Sequence, residues 1–513
     1  MPLLGLDIGT SGTKALLLSE SHEGGGGGAV LATAEAPHPI STPRPGWSEQ
    51  DPENWWQACI AATAAVLQKA GIAGKSVRGV GLSGQMHGSV FLGEGTRALR
   101  PALLWNDQRT AAECREIEQR AGGRAALIKM VSNPALTGFT APKILWFRRH
   151  EPALFKKCRH ILLPKDYIRL RMTGAYVTEV SDASGTLLLD VKKRAWHSGL
   201  IARLGLDAAL LPRVVESQEI TGTLSAQAAA ELGLAPGTPV VGGAGDQAAG
   251  AVGTGVVKPG LVSAAMGTSG VIFAASARPQ TDGGPRGGRV HTMCHAVPGM
   301  WCVFGCMLSA GGSFQWMRNM LFPAQVRKAP DPGGLYPCMI EEAEMAPAGS
   351  EGLFFLPYLT GERCPHADSL ARGAFIGLTP RHQRAHLLRA CLEGITFGMR
   401  EQVMILREMG IPVREVRASG GGARSEFWRQ LQADMYDAPV ATINVSEGAA
   451  LGVAILAAVG IKDYRSVAEA CNAILRPQHT CRPNGKMKTF YAQQHQRYAA
   501  LYPALQEWFG GAA

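Results

Sequence analysis

The tetrapeptide GTSG occurs twice, at Gly9–Gly12 and at Gly267–Gly270, and constrains the fold more than any other feature of the chain. Each copy follows an apolar stretch, LLGLDI or LVSAAM, and precedes another, KALLL or VIFAA. Apolar runs on both sides of a small-residue turn read as the two strands of a hairpin. The same strand–turn–strand context, repeated half a chain apart, predicts two similarly built domains. At 513 residues the chain is also too long for one ordinary core. A boundary near residues 248–260 follows, with a turn at Pro259 and Gly260. Asp51 and Pro52 open a helix whose apolar face is expected to hold Trp55, Ile60, Ala64 and Leu67, and VRGVGLS reads as the next strand. Continued alternation of strands and helices makes the class α/β. The glycine run Gly24–Gly28 reads as a flexible turn tip.

Composition narrows the functional class. Hydrophobic residues at 46% and charged residues at 18% suit a globular chain, and no apolar run reaches membrane-spanning length. The start, MPLLGLDIGT, lacks a basic segment and carries Asp7 within its apolar stretch, which argues against a signal peptide. Eleven cysteines without a CxxC pair suit the reducing cytoplasm. His291, Cys294, His295, Cys302 and Cys306 cluster, but zinc ligands usually pair at tighter spacing and core packing is the favoured reading. The formal charge of +10 is spread out. Its densest stretches, Arg148–His160 and Lys192–Arg194, lack interleaved aromatics, so no nucleic-acid partner is expected.

Two phosphate-loop look-alikes fail on context. GIAGKS lacks the first glycine of a Walker loop, having Lys69 there. GVGLSG should open a helix, yet QMHGSVFL after it reads as turn and strand. The paired GTSG turns are better candidates, because backbone N–H groups in a tight glycine turn converge on a phosphate oxygen. Asp7 precedes the first turn, and Asp246 follows the apolar run TPVVGGAG. Acids at strand ends beside glycines suit a metal or a substrate proton. The competing reading for Asp246 is a cap for the helix QAAGAVG, and the pattern leaves the two even. SGGGARSEFWRQLQADM reads as a glycine turn entering a helix, and SEGAALGVAILAAVG as a capped helix of small residues. Either suits a nucleotide or plain helix packing.

These motifs, with WSEQDPENWW, LLWNDQR, LLPKDYIRLRMTG, SDASGT and LPYLTGERCPH, resemble the FGGY carbohydrate kinases over nearly the whole chain, and within them the xylulokinases. The resemblance implies two ribonuclease-H-like domains of the actin and hexokinase type around a central cleft. Residues 1–250 would form the sugar-binding side and residues 251–513 the ATP-binding side, with the extreme C-terminal helix a candidate to pack back on the first domain. It implies ATP and Mg²⁺, a cytoplasmic location and a homodimer. Carried over by position, Asp246 is the implied general base. Asp7 is the implied carboxylate beside Mg²⁺ and the moving phosphoryl group. Met86, His87, Trp105, Asp107 and Gln247 are implied around the sugar. Thr13, Gly267 and Thr268 resemble phosphate contacts, and Gly311, Gln315, Gly421, Gly422 and Ser425 resemble positions around ribose and adenine. SGQMHG speaks for a ketose and against glycerol. Gln247 stands where Asn is usual, which loosens the choice of D-xylulose over L-ribulose, gluconate or another polyol. An actin-like nucleotide switch is the reading from a different class.

Overall fold

A computed structural model describes residues 1–20, 28–283, 287–329, 331–445 and 447–511. The chain divides into two compact units. The first comprises Met1–Lys258, Ala275–Cys302 and Glu447–Leu475; the second comprises Pro259–Ala274, Val303–Ser446 and Arg476–Ala513. Among the described residues no helix is long and apolar enough to cross a membrane.

In the first unit, strands β1 (Leu3–Ile8) and β2 (Gly12–Leu18) form the expected hairpin around GTSG. Strand β3 (Val30–Pro37) continues the antiparallel run, while β4 (Val80–Gly84) lies parallel to β1 on its other side. Adding β5 (Ile220–Thr223) and β6 (Pro239–Val241) gives the order β5–β6–β4–β1–β2–β3. In the second unit, β7 (Gly260–Met266) and β8 (Gly270–Ser276) form the second hairpin around the second GTSG. With β9 (Trp301–Met307), β10 (Val413–Gly420), β11 (Val440–Ile443) and β12 (Pro477–Cys481), this sheet runs β9–β8–β7–β10–β11–β12. Over these six strands the reversed path matches the first, and a seventh strand, His291–Cys294, lies beyond β9; in each sheet the hairpin's first strand pairs in parallel with the fourth strand. The units differ at the edge, where β5 precedes its partner β6 in sequence but β12 follows β11. The tetrapeptide repeat is therefore the visible trace of a repeated topology.

Local chemistry sets the surrounding helices. Asp51 caps the helix Pro52–Ala70 by accepting from Glu53 N–H at 3.0 Å, and Gly71 closes it in the left-handed conformation. Its buried face runs through Trp55, Cys59, Ala62 and Val66, steps of three and four residues. Ala64, expected on that face, is exposed, and Ile60 is only half-buried. The face is rotated because Trp56 and Thr63 are buried on one flank. The helix Gly448–Gly460 packs against β1 and β4. Gly5 on β1 and Gly81 on β4 permit that approach, since a Cβ at either would lie 2.0 Å from a carbonyl oxygen of this helix. Its expected N-terminal cap, Ser446, lies outside the described residues, as do Gly24–Gly27 of the glycine run. GVGLSG contains the whole of strand β4 and is followed by a turn, not a helix, and GIAGKS contains a short 3-10 turn at Gly74–Ser76.

Candidate active site

Two carboxylates flank the end of one strand in the first unit. Asp7 on β1 is in register with Ser83 of β4, and the short strand Ala244–Gly245 pairs with Ser83 and Gly84 from the other side. This delivers Asp246 as the first residue of the helix Asp246–Gly253. Gly245, not Asp246, occupies the capping position. Desolvation raises the pKa of Asp7, and the Ser83 hydroxyl and Lys14 offset this only in part. Desolvation and then the charge of Asp7 push Asp246 up to about 7, against the donors of Gln247. Both carboxylates keep partial contact with solvent, as groups that must meet a ligand require. Asp7 Oδ1 is buried without a hydrogen-bond partner.

Met86 and His87 follow β4 after Gln85. Met86 is buried and lies against Gly245, where a Cβ would come within 2.9 Å of its side chain. His87 has a left-handed backbone, φ 68°. Its Nδ1 is 2.8 Å from the Gly185 carbonyl, which can only accept, so Nδ1 carries a proton. The ring meets Phe139 edge to face with centroids 4.8 Å apart. Trp105 Nε1 donates to Thr10 Oγ1 at 3.0 Å, tying the first GTSG turn to the LLWNDQR segment. Gln50 Nε2 donates to Thr10 O at 2.7 Å and Gln85 Nε2 to Gly9 O at 3.3 Å. Met86, Gln247 and the two carboxylates thus gather at the ends of β1 and β4, with His87 and Trp105 on the adjoining segments. Asp107 is placed differently. It is fully buried and accepts from Ser48 N–H at 2.7 Å and from the Arg109 backbone and guanidinium. The Arg109 guanidinium lies 3.6 Å from the Trp47 ring centroid, so this pair braces the segment. Thr13 is also fully buried, on β2 beside Cys59, and the rim of the turn is formed by Thr10 and Ser11.

Behind Asp246 lies a buried ionic cluster that the sequence reading did not single out. Lys165, Asp166, Arg169, Glu179 and Asp182 are all inaccessible to solvent. Lys165 Nζ contacts Asp166 at 2.8 Å, Asp182 at 3.1 Å and Glu179 at 3.4 Å. Arg169 donates to Asp166 Oδ1 and to the Gly242 carbonyl. Glu179 accepts from the hydroxyls of Ser181 and Ser217, both at 2.8 Å, and Ser181 Oγ in turn accepts from Gly245 N–H at 3.1 Å. The chain entering Asp246 is therefore held by hydrogen bonds to charged groups. Burial, reinforced by the neighbouring carboxylates and opposed by Lys165, raises the pKa of Asp182. Burial alone would raise Asp166; Lys165 and Arg169 outweigh it and hold it low. The signal in the sequence was the charges within the otherwise apolar LLPKDYIRLRM, whose helix has no polar face to keep them in water.

The second unit repeats the arrangement without acids. β7 and β10 are parallel and end together, Met266 opposite Gly420, so the second GTSG turn and the SGGG turn emerge side by side. Gly267 and Thr268 are exposed. Their carbonyls accept from Gly311 N–H at 2.9 Å and Gly312 N–H at 3.0 Å, where the helix Gly311–Leu321 starts. A Cβ on Gly311 would lie 2.4 Å from Gly267 O, so only glycine permits that contact. Gln315, one turn on, is exposed on the same helix face. Gly420 has φ 77°, and a Cβ on Gly422 would lie 2.2 Å from Met266 Sδ. Ser425 caps the helix Glu426–Tyr436 by accepting from Trp428 N–H at 3.3 Å. Gly267, Thr268, Gly311 and the Gly421–Ser425 turn thus form one loop cluster, a concentration of backbone N–H groups and a helix start of the kind that receives phosphates.

In the histidine and cysteine cluster of the first unit, the Cys294 and Cys302 thiols donate to the carbonyls of Val191 and Met293, and His295 Nε2 faces Val256 O at 2.9 Å.

Comparison with known proteins accounts for this pairing of sites. Residues 2–253 match the N-terminal domain, and residues 262–461 the C-terminal domain, of the FGGY family of carbohydrate kinases. The chain is 38% identical to the xylulose kinase of Escherichia coli strain K12 over 508 residues, covering 98% of this chain and 99% of that one. It is 37% identical to the xylulose kinase of Bacillus subtilis strain 168, covering 98% and 95%. A solved xylulose kinase from Rhodospirillum rubrum, 31% identical, superposes with a TM-score of 0.89 over 99% of this chain and 100% of that one. A gluconate kinase from Lactobacillus acidophilus, 26% identical, gives 0.90 over 100% and 99%. With both family domains matched in order and near-complete alignment to curated kinases, the chain belongs to the FGGY family of carbohydrate kinases.

Proposed function

We propose that this chain phosphorylates D-xylulose at its terminal hydroxyl with Mg-ATP, giving D-xylulose 5-phosphate and ADP. The observation that carries the reading is the Asp7–Asp246 pair beside Met86 and His87, with Asp246 pushed up to about 7. A base tuned near neutral pH is suited to accept a hydroxyl proton. The choice of sugar is supported by the identity to xylulose kinases over nearly the full length. The fold does not choose it, since the gluconate kinase superposes as well as the xylulose kinase.

In this mechanism Met86, His87 and Gln247 orient the ketose, and Trp105 walls the site. Asp246 takes the proton of the terminal hydroxyl as its oxygen bonds to the terminal phosphorus. The bond from that phosphorus to the bridging oxygen breaks, and ADP leaves. Gly267, Thr268, Gly311, Gln315, Gly421, Gly422 and Ser425 would hold the nucleotide through backbone N–H groups and the helix starts. Asp107 acts by bracing its segment, and Thr13 through the backbone of its turn. The residues also fit Mg²⁺. The unpartnered Asp7 Oδ1 and the repulsion between Asp7 and Asp246 are what a dication would relieve. When bound, Mg²⁺ neutralises charge on the ATP phosphates. The eleven cysteines, none of them in a CxxC pair, support a cytoplasmic location.

The test is the product. Phosphorus NMR of the protein with Mg-ATP and D-xylulose should show a phosphate ester on the C5 oxygen. An ester at another carbon, or none, would overturn the reading.

A further inference from the structure

Lys143 is fully buried, and its amine faces backbone rather than a carboxylate. It donates to His87 O at 2.9 Å and Gly138 O at 2.6 Å. Burial, opposed by Asp107, pushes it down to about 7. A methionine would fill the same stem without desolvating an amine, so what the lysine adds is its donors. A second donor reaches the same carbonyl, Thr140 Oγ1 to His87 O at 3.1 Å.

His87 needs such holding. Its left-handed backbone is unfavourable for a residue with a Cβ and persists only where the surroundings over-determine it. The helix Thr140–His150 supplies those surroundings from its first turn: Thr140 and Lys143 clamp the carbonyl, and Phe139, which precedes the helix, meets the ring. Gly185 accepts from Nδ1 and leaves room for the ring, since a Cβ there would lie 2.5 Å from that nitrogen. Backbone, ring plane and tautomer are thereby fixed together.

We propose that Lys143, assisted by Thr140, is a positioning residue that holds His87 in its sugar-binding orientation and so sets affinity for the acceptor sugar. This rests on the sugar-kinase reading above. A small displacement of an orienting group is costly, and loss of an outer hydrogen-bond partner typically changes affinity or activity by about 10- to 100-fold.

The experiment pairs kinetics with imidazole nitrogen NMR on Lys143→Met, Thr140→Val and the unaltered protein, with the His87 signals assigned from a His87→Gln sample. Lys143→Met should raise the KM for D-xylulose by about tenfold or more while the KM for ATP stays within about twofold, and His87 should lose its fixed Nδ1–H tautomer. Thr140→Val should act in the same direction by about threefold, the worth of one neutral hydrogen bond. A folded Lys143→Met protein with unaltered sugar KM and His87 spectrum overturns the proposal. If Lys143→Met does not fold, unaltered values for Thr140→Val overturn it instead. If the unaltered protein phosphorylates no ketopentose, the sugar reading falls. The His87 spectrum then decides the positioning role alone, a retained tautomer overturning it and a lost one upholding it.

Discussion

Ionising Asp246 places a second negative charge beside Asp7 in partly desolvated surroundings. The protonated acid is therefore more favoured than in an ordinary carboxyl, whereas the proposed chemistry needs the carboxylate. Below about pH 7, kcat/KM should fall about tenfold per pH unit as the base is protonated. Asp246→Ala should lower turnover by ~100-fold or more, and a folded variant with near-normal turnover would remove Asp246 from the base role. The same shift bears on stability with the opposite sign. The folded pKa of about 7 lies above the ordinary carboxylate value of 3.8, so folding binds a proton and stability falls as pH rises between the two. Asp246→Asn should raise the melting temperature at pH 8, by up to about 4 kcal/mol of stability, and the gain should vanish toward pH 4. A gain that does not depend on pH would contradict this electrostatic origin.

Among the elements, the helix Pro164–Thr173 helps to place Asp246, through Arg169 donating to the Gly242 carbonyl. Breaking a buried pair leaves an uncompensated charge, so Arg169→Met should cost about 3–5 kcal/mol in urea unfolding. A cost below ~1 kcal/mol would mean that removing Arg169 leaves no uncompensated buried charge. Gly81→Ala tests the seat of the helix Gly448–Gly460, because the added Cβ would fall 2.0 Å from Val453 O. It should destabilise by about 1–3 kcal/mol or more, since backbone must move to admit it. How legible each element was follows from how local its cause is. The hairpins, the helix capped by Asp51 and the turn into Glu426–Tyr436 depend on neighbouring residues and could be read directly. The rotation of the first helix that exposes Ala64 depends on where Trp56 packs, with its Nε1 donating to Glu231, a partner far away in sequence. Asp107 and Thr13 could be placed near the site by motif. Their burial could not be read, because it depends on Arg109 turning back onto Asp107 and on the strand facing of β2. The ionic cluster was hidden for the same reason, its members being brought together only by the tertiary fold.

For the molecule as a whole, the repeated strand order gives the same turn two chemistries. The first unit adds acids and the side chains proposed to meet the sugar to its GTSG turn, and the second adds glycine turns and helix starts. Effects on the two substrates should therefore separate by unit. His87→Ala should raise the KM for sugar, and Gly422→Ala, whose Cβ meets Met266 Sδ at 2.2 Å, should raise the KM for ATP, each leaving the other within about threefold. The central claim is that this family member acts on D-xylulose. The most direct test follows ADP release from Mg-ATP with D-xylulose, L-ribulose, D-ribulose, gluconate, glycerol and no sugar. The expected result is rapid release with D-xylulose and little with the others. Preference for another sugar would move the error to Met86, His87 and Gln247, and release that no sugar raises above the blank would contradict the claim outright.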